Sequence, residues 1–220
     1  MDTPPPTSDT DPNALELSYG ILDWLSAQTS DLEFPHSNKS FIASALHYGA
    51  IDHFNAICYL VKAGAHSSAF ALLRVEWQAF INGLWMQLVC PEDQAEKYWV
   101  GDREFPGLEA AIKQVMKNLP EGAEGGKGIT TLKVQLGKSM HIYTHMGALQ
   151  IQGLTRTGEI ASYFPAAQVD ALLTVAVRIA LYAATGLAWL KDDAFLEAAI
   201  EDEFLDFFKS LKKLGEIDVP

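Results

Sequence analysis

Hydrophobic residues recur every three or four positions along most of the chain, and this spacing predicts α-helices. The clearest stripe lies in residues 67–89, where eight apolar side chains keep helical spacing (Phe70, Leu73, Trp77, Phe80, Ile81, Leu84, Trp85 and Leu88). No segment shows a convincing strand pattern. We therefore expect an all-α fold.

The start and stop signals along the chain predict about five long helices plus short connecting helices. The helical segments are expected at 13–28, 39–62, 67–89, 107–119, 130–146 and 166–190, followed by a last acidic helix that starts at Asp192 or Asp193. Few connections are long, which favours an up-and-down bundle. Residues 1–12, MDTPPPTSDTDP, are expected to form a disordered tail. Residues 13–214 are expected to form a single helical-bundle domain.

One apolar segment, Val169–Leu190, has the length of a membrane span, but Asp170 and Arg178 interrupt it. Such a helix is typical of a protein core, and we expect no membrane association. The two cysteines, Cys58 and Cys90, lie in apolar helical surroundings and are expected to be reduced core thiols. The N-terminal residues do not resemble a secretory signal, so a cytoplasmic protein is expected.

The formal net charge of −12 limits the partners of the chain. A negative surface repels nucleic acid at long range, so an RNA or DNA partner would need a local basic patch. The glycine-rich stretch PEGAEGGKGIT does not fit a phosphate-binding loop, because Glu121 and Gly128 stand where that motif needs glycine and a hydroxyl residue. Nucleotide binding there is not expected.

Two histidines, His141 and His145, lie one helical turn apart in KSMHIYTHMG and share a semi-polar face with Lys138. The spacing favours a hydrogen-bonded structural or catalytic pair without a cofactor. It also fits a divalent metal such as Zn²⁺, which is the alternative. The third ligand of that alternative would come from an earlier helix (His47, His53 or Glu76).

A charged residue, Arg74, falls on the apolar stripe of residues 67–89. A guanidinium in that position is costly unless it is paired. Two interpretations remain open. Arg74 either forms a structural ion pair with Glu76 or Asp52, or it anchors an anion or a substrate.

Three stretches together resemble a bacterial family of unknown function: SSAFALLRVEWQAFINGLWM, HIYTHMGALQIQ and EIASYFP before the long apolar helix. This resemblance, an LLR…W and YTHxG pattern, covers roughly residues 40–195. That family is similar to HEPN and abortive-infection-like helical bundles. The resemblance implies a bundle, often dimeric, in bacterial defence. Active HEPN proteins are metal-independent ribonucleases whose arginine and histidine, four to six residues apart, meet across a dimer cleft.

Carried onto this chain, the resemblance makes His145 the motif histidine and puts Lys138 in the arginine's place. This is a departure, because lysine cannot contact phosphate in a bidentate manner. Arg74 would then supply the missing guanidinium. His141 or His145 would act as base or acid. Two further residues are expected to bind substrate beside Arg74 (Tyr143 and Arg156).

Two other functions remain in competition. HIYTHMGALQIQGL is also similar to DinB-like metal-binding four-helix bundles, which would use His47 or His53 as the third ligand, although LLRVEWQAF is then unexplained. A catalytically inert interaction or dimerisation module is the other alternative. The expected partners are a second copy of the chain and either RNA or another protein.

Overall fold

The computed structural model describes residues 13–30, 32–33, 37–119, 125–144, 155–156, 159–160 and 164–213. Within these ranges, side chains are described except for residues 125, 137–144, 155–156, 159–160 and 213. The described chain is a bundle of α-helices, which confirms the all-α fold class. The predicted tail, residues 1–12, lies outside the described residues.

The helices follow one another with short connections in most places. Their bounds are α1 Ala14–Thr29, α2 Asn38–Lys62, α3 His66–Leu88, a 3₁₀ turn Glu92–Gln94, α4 Ala95–Trp99, α5 Leu108–Asn118, α6 Gly125–Thr144, α7 Ala166–Lys191 and α8 Ala194–Lys213. Between α6 and α7, β1 (Thr155–Arg156) pairs antiparallel with β2 (Glu159–Ile160). The sequence pattern did not predict these strands, because two residues are too few for an alternation to show.

Side-chain caps fix the starts of the first two helices. Asn13 and Glu16 form a reciprocal capping box at the start of α1, with nitrogen–oxygen distances of 3.0 and 3.3 Å. Ser37 accepts a hydrogen bond from the backbone N–H of Ser40 and begins α2. The connection to α3 contains Gly64 at φ +74°, a left-handed conformation that glycine adopts without strain. These are the boundaries that the sequence signals predicted.

The turn between α7 and α8 depends on two consecutive aspartates. Asp192 takes a left-handed conformation, φ 56°, and ends α7. Asp193 then accepts a hydrogen bond of 3.0 Å from the backbone N–H of Leu196 and caps α8. The predicted start of the last helix at one of these aspartates is confirmed.

Ring contacts show that α3 and α7 run in the same direction. Phe70 stacks on Phe164 just before α7, with ring centroids 5.0 Å apart, and ten residues later Phe80 stacks on Tyr182 at 6.2 Å. The end of the bundle where α3 and α7 both begin is called here the His66 end.

The contacts of α6 place it antiparallel to α7. Near its start, the backbone of Gly128 lies against the ring of Tyr182. Further along α6, Gln135 accepts a hydrogen bond of 3.2 Å from Arg178, which is one turn before Tyr182 on α7. Helix α6 therefore runs towards the His66 end, as an up-and-down bundle requires.

Helix α6 starts at Gly125, five residues before the predicted start at Thr130. The prediction failed because glycine has a low helix propensity, which tertiary contacts override here. A Cβ atom at Gly128 would collide with the hydroxyl group of Tyr182. The GGKG stretch thus lets a helix pass close to α7, where a larger residue would not fit.

The long apolar helix α7 is the centre of the bundle. It is the one helix in the described part of the chain that is long and apolar enough to cross a membrane, but 78% of its apolar window is buried inside the bundle. That burial is typical of a core helix, as predicted. The thiols of Cys58 and Cys90 are free and buried in the same core, also as predicted.

Candidate functional site

The residues predicted for catalysis on α6 lie at its C-terminal half, towards the His66 end. Lys138, His141 and Tyr143 belong to the helical backbone of α6, although their side chains lie outside the described residues. His145 also lies outside them, and Arg156 is described only as backbone in β1. The meeting of His145 with Arg74 therefore stays a prediction.

Arg74 does not form the ion pair that one interpretation required. Its side chain is half-buried and makes no hydrogen bond or ion pair with any residue that the structure describes. Glu76, one expected partner, is two residues further, which is about 200° around the helix axis. Asp52, the other, is exposed on α2. Arg74 is thus half-buried at the edge of the apolar stripe and is paired with neither of the two expected carboxylates.

The helix register sets the height of Arg74 relative to α6. Phe80 and Gly128 both contact Tyr182 and therefore lie at a similar height. Towards the His66 end, Arg74 is six residues from Phe80 and Lys138 is ten residues from Gly128, or about 9 and 15 Å at 1.5 Å per residue. The Lys138 backbone is thus about one turn beyond Arg74 along the bundle axis.

The same register places His66, which the sequence pattern did not single out, at this end of the bundle. His66 lies fourteen residues before Phe80 and His141 thirteen after Gly128, so both are about 20 Å from the Tyr182 level. The ring of His66 packs edge-on against Phe164, with centroids 6.1 Å apart. His66 thus joins Arg74 on α3 at the end where the predicted α6 residues lie.

The charge of the chain is unevenly distributed along the sequence. Residues 125–158 contain none of the 28 acidic residues, whereas an even distribution would place about four in a stretch of this length. The same stretch contains three lysines, one arginine and two histidines (Lys127, Lys133, Lys138, Arg156, His141 and His145). This acidic chain therefore carries one continuous basic segment.

A surface groove between α5 and α6, here called the α5–α6 groove, continues the basic region. Its volume is about 680 Å³. Three lysines and one glutamate supply its charges, and the Nζ of Lys133 lies 2.5 Å from an Oε of Glu109. The remaining lysines lie one turn apart on α5 (Lys113 and Lys117). Their spacing was visible in the sequence, but only the packing of α5 against α6 aligns them with Lys133.

Glu76 is a buried carboxyl group without a partner among the described residues. It is completely buried, and neither of its oxygens forms a hydrogen bond to any residue in the described ranges. Burial raises its pKa well above the usual value, so the neutral acid is the stable form. Burial, and next the proximity of Glu76, raise the pKa of the Cys58 thiol to about 12. These groups belong to the core, which argues against Glu76 as a metal ligand.

His47 is a second buried polar group, and it belongs to the packing of three helices. The ring is fully buried between the backbones of Gly83 on α3 and Gly186 on α7. Its Nε2 lies 3.2 Å from Oε1 of Gln87, and burial lowers its pKa to about 4. Because Gly186 follows Tyr182 by one turn and α6 runs the other way, His47 lies more than 20 Å along the bundle axis from His141. This distance argues against a metal site that includes both.

Arg178 in the middle of α7 is held by its neighbours. One of its nitrogens donates to Gln135 on α6, and its guanidinium lies 4.5 Å from the ring centroid of Phe208 on α8. Its Nε has no partner within the described part of the chain, and burial lowers the pKa of Arg178. The role of Arg178 is therefore to join three helices, with α6 among them.

The chain belongs to a family of unknown function, DUF6988, which it matches over residues 48–213. The match spans about three quarters of the chain and includes α3, the α5–α6 groove and α7. No curated protein and no solved structure matches the chain.

Proposed function

We propose that this member of DUF6988 is an RNA-directed, HEPN-like helical-bundle effector that acts in bacterial defence or stress, in the cytoplasm and without a metal. The observation that carries the proposal is the basic region formed by the α5–α6 groove and the acid-free segment 125–158. A chain with a net charge of −12 that contacts a polyanion needs such a region, and this chain has one.

Binding of RNA would begin at the lysines of the α5–α6 groove. Lys113 and Lys117 are exposed, and Lys133 exchanges its contact with Glu109 for a phosphate oxygen. A run of phosphates held there would extend along α6 towards Lys138 and Arg74. Tyr143 and Arg156, from the same basic segment, are proposed to hold the substrate beside them.

The chemistry proposed for the site is metal-independent cleavage of RNA. A histidine base, His145 or His141, takes the proton of a ribose 2′-hydroxyl as its oxygen attacks the adjacent phosphorus. The P–O5′ bond breaks, and the other histidine donates a proton to the leaving 5′ oxygen. Arg74 or Lys138 stabilises the negative phosphorane. The products are a 2′,3′-cyclic phosphate and a free 5′-hydroxyl. Lys138 in place of arginine implies a slow enzyme.

The binding half of the proposal is tested by the salt dependence of RNA affinity. Fluorescence anisotropy with a labelled single-stranded RNA is measured for the wild type and for Lys113→Gln/Lys117→Gln at several salt concentrations. We expect weaker binding in the variant and a salt slope reduced by roughly one unit or more. The matched control is Lys209→Gln/Lys212→Gln, which removes two exposed lysines on α8 and should leave binding unchanged.

The catalytic half is tested by cleavage of the same RNA with and without a chelator. We expect slow cleavage that the chelator does not affect, that His145→Ala abolishes and that Arg74→Ala reduces by a factor of about 100 or more. His53→Ala is the histidine control and should retain cleavage. Loss of cleavage in His53→Ala, together with chelator sensitivity, would favour the DinB-like alternative. If the wild type neither binds nor cleaves RNA, the catalytically inert interaction module is the alternative that remains.

A further inference from the structure

The outward side of α2 carries a straight row of residues that are not buried by the bundle. Phe41, Tyr48, Asp52 and Tyr59 lie at 0°, −20°, +20° and 0° around the helix axis at 100° per residue, so the row is about 40° wide. It extends over eighteen residues, or about 27 Å. The three aromatic side chains remain 56%, 52% and 60% exposed. An ordinary solvent-facing helix side is polar, and this one is aromatic.

Residues of α4 extend the row at one end. Trp99 is 62% exposed and packs edge-on against Phe41, with ring centroids 5.5 Å apart, and Val100 beside it is also exposed. These residues and the row on α2 are called here the α2 face. Four of the five large aromatic side chains that stand exposed in the described chain belong to the α2 face. Such clustering, unlike single exposed apolar residues, marks an interaction surface.

The order of residues along the α2 face is self-complementary. In an antiparallel pair of identical helices with its two-fold axis at residue 50, residue 41 meets 59 and residue 48 meets 52. Phe41 and Trp99 of one chain would then receive Tyr59 of the other, and the hydroxyl of Tyr48 would meet the carboxylate of Asp52. Each contact occurs twice, as two-fold symmetry demands.

We infer that the α2 face is the interface of a homodimer, in which α2 packs antiparallel against α2 of a second copy of this chain. Phe, Tyr and Trp side chains offer roughly 200 Å² each, so the four rings would bury about 450 Å² per chain. That is more than half of the roughly 800 Å² per partner of a standard interface. The α2 face contains none of the residues proposed to bind or cleave RNA, so this inference stands independently of that proposal.

The test is sedimentation equilibrium of the full chain at several concentrations. We expect the wild type to be a dimer with a dissociation constant of about 10 μM or below. Tyr48→Asp places a carboxylate opposite Asp52 of the second copy at each of the two symmetry-related contacts and should weaken dimerisation by about 30-fold or more. Tyr48→Asp/Asp52→Lys pairs opposite charges again and should restore the dimer. Phe195→Asp, the same kind of change at a 91% exposed position on α8, is the control and should leave the dimer intact.

The outcomes separate the interface from simple loss of folding. Each variant is checked by far-UV circular dichroism, and since the changed side chains are exposed, helical content should not change. A wild type that stays monomeric at about 100 μM overturns the inference. A dimer that survives Tyr48→Asp places the interface elsewhere. Loss of the dimer in Tyr48→Asp without recovery in the double variant overturns the antiparallel register.

Discussion

The buried carboxyl group of Glu76 gives the sharpest prediction about the energetics of this bundle. The perturbation is Glu76→Gln, which keeps the size of the side chain and removes its ionisation. In the folded protein burial raises the pKa of Glu76 well above the ordinary value of 4.5. In the unfolded chain the group returns to that value. Above pH 4.5, folding must therefore take up a proton in the wild type and need not do so in the variant.

The sign and the size of the effect follow from linkage. Between the two pKa values of Glu76 the native state holds one proton more than the unfolded state, so wild-type stability falls as pH rises, by about 1.4 kcal/mol per pH unit at most. The variant lacks this loss. The free energy of unfolding of Glu76→Gln relative to the wild type should thus rise by up to about 3 kcal/mol from pH 5 to pH 7.

The assay is urea unfolding at pH 5, 6 and 7, followed by far-UV circular dichroism. Glu201→Gln, at an exposed position on α8, serves as the control and should track the wild type at every pH. If the free energies of unfolding of the wild type and Glu76→Gln differ by the same amount at all three pH values, the reasoning is refuted. A variant that is less stable than the wild type at neutral pH, with a gap that narrows towards low pH, would instead indicate that Glu76 is ionised and paired in the folded protein.

Three further predictions concern the glycine and histidine contacts of the core. By nuclear magnetic resonance, the imidazole of His47, whose pKa burial lowers to about 4, should remain neutral throughout pH 5–8. Below about pH 6.5 His47 should cost stability, because the unfolded chain takes up the proton first. Gly186→Ala sets a Cβ 2.5 Å from two atoms of the His47 ring and should lower the free energy of unfolding by about 1–3 kcal/mol, whereas Gly49→Ala on α2, where a Cβ has no neighbour within 4 Å, should not. Gly128→Ala should cost a similar amount, and Tyr182→Phe should recover part of it because the hydroxyl oxygen is the nearest of the colliding Tyr182 atoms. An equal loss in both backgrounds would contradict the contact.

Most of the helices could be read from the sequence because their signals are local. The caps Ser37 and Asp193 and the left-handed Gly64 act within a few residues, so each boundary was visible in a short window. The start of α6 was not, because its glycines are helical only as a result of the close passage of α7. The short ladder between β1 and β2 was not predicted either, because each strand has only two residues.

The candidate site was only partly predictable. The pattern in the sequence singled out Arg74 and the α6 residues, and the helix register places Arg74 about one turn from Lys138 along the bundle axis. The spacing places Arg74 and Glu76 on different sides of α3, but spacing alone does not show which residues of other helices face each side. The α5–α6 groove and the α2 face were missed for the same reason.

For this protein, periodicity and capping residues alone determined the all-α fold and most of the helix ends, because these depend on contacts within one or two turns. Other features depend on how helices far apart in the chain are aligned. These are the polar groups that are buried together, the glycines that permit close approach and the lysines that share a groove. Only the tertiary packing sets that alignment, and it turned Glu76 and His47 into core residues and the outer side of α2 into an exposed aromatic surface.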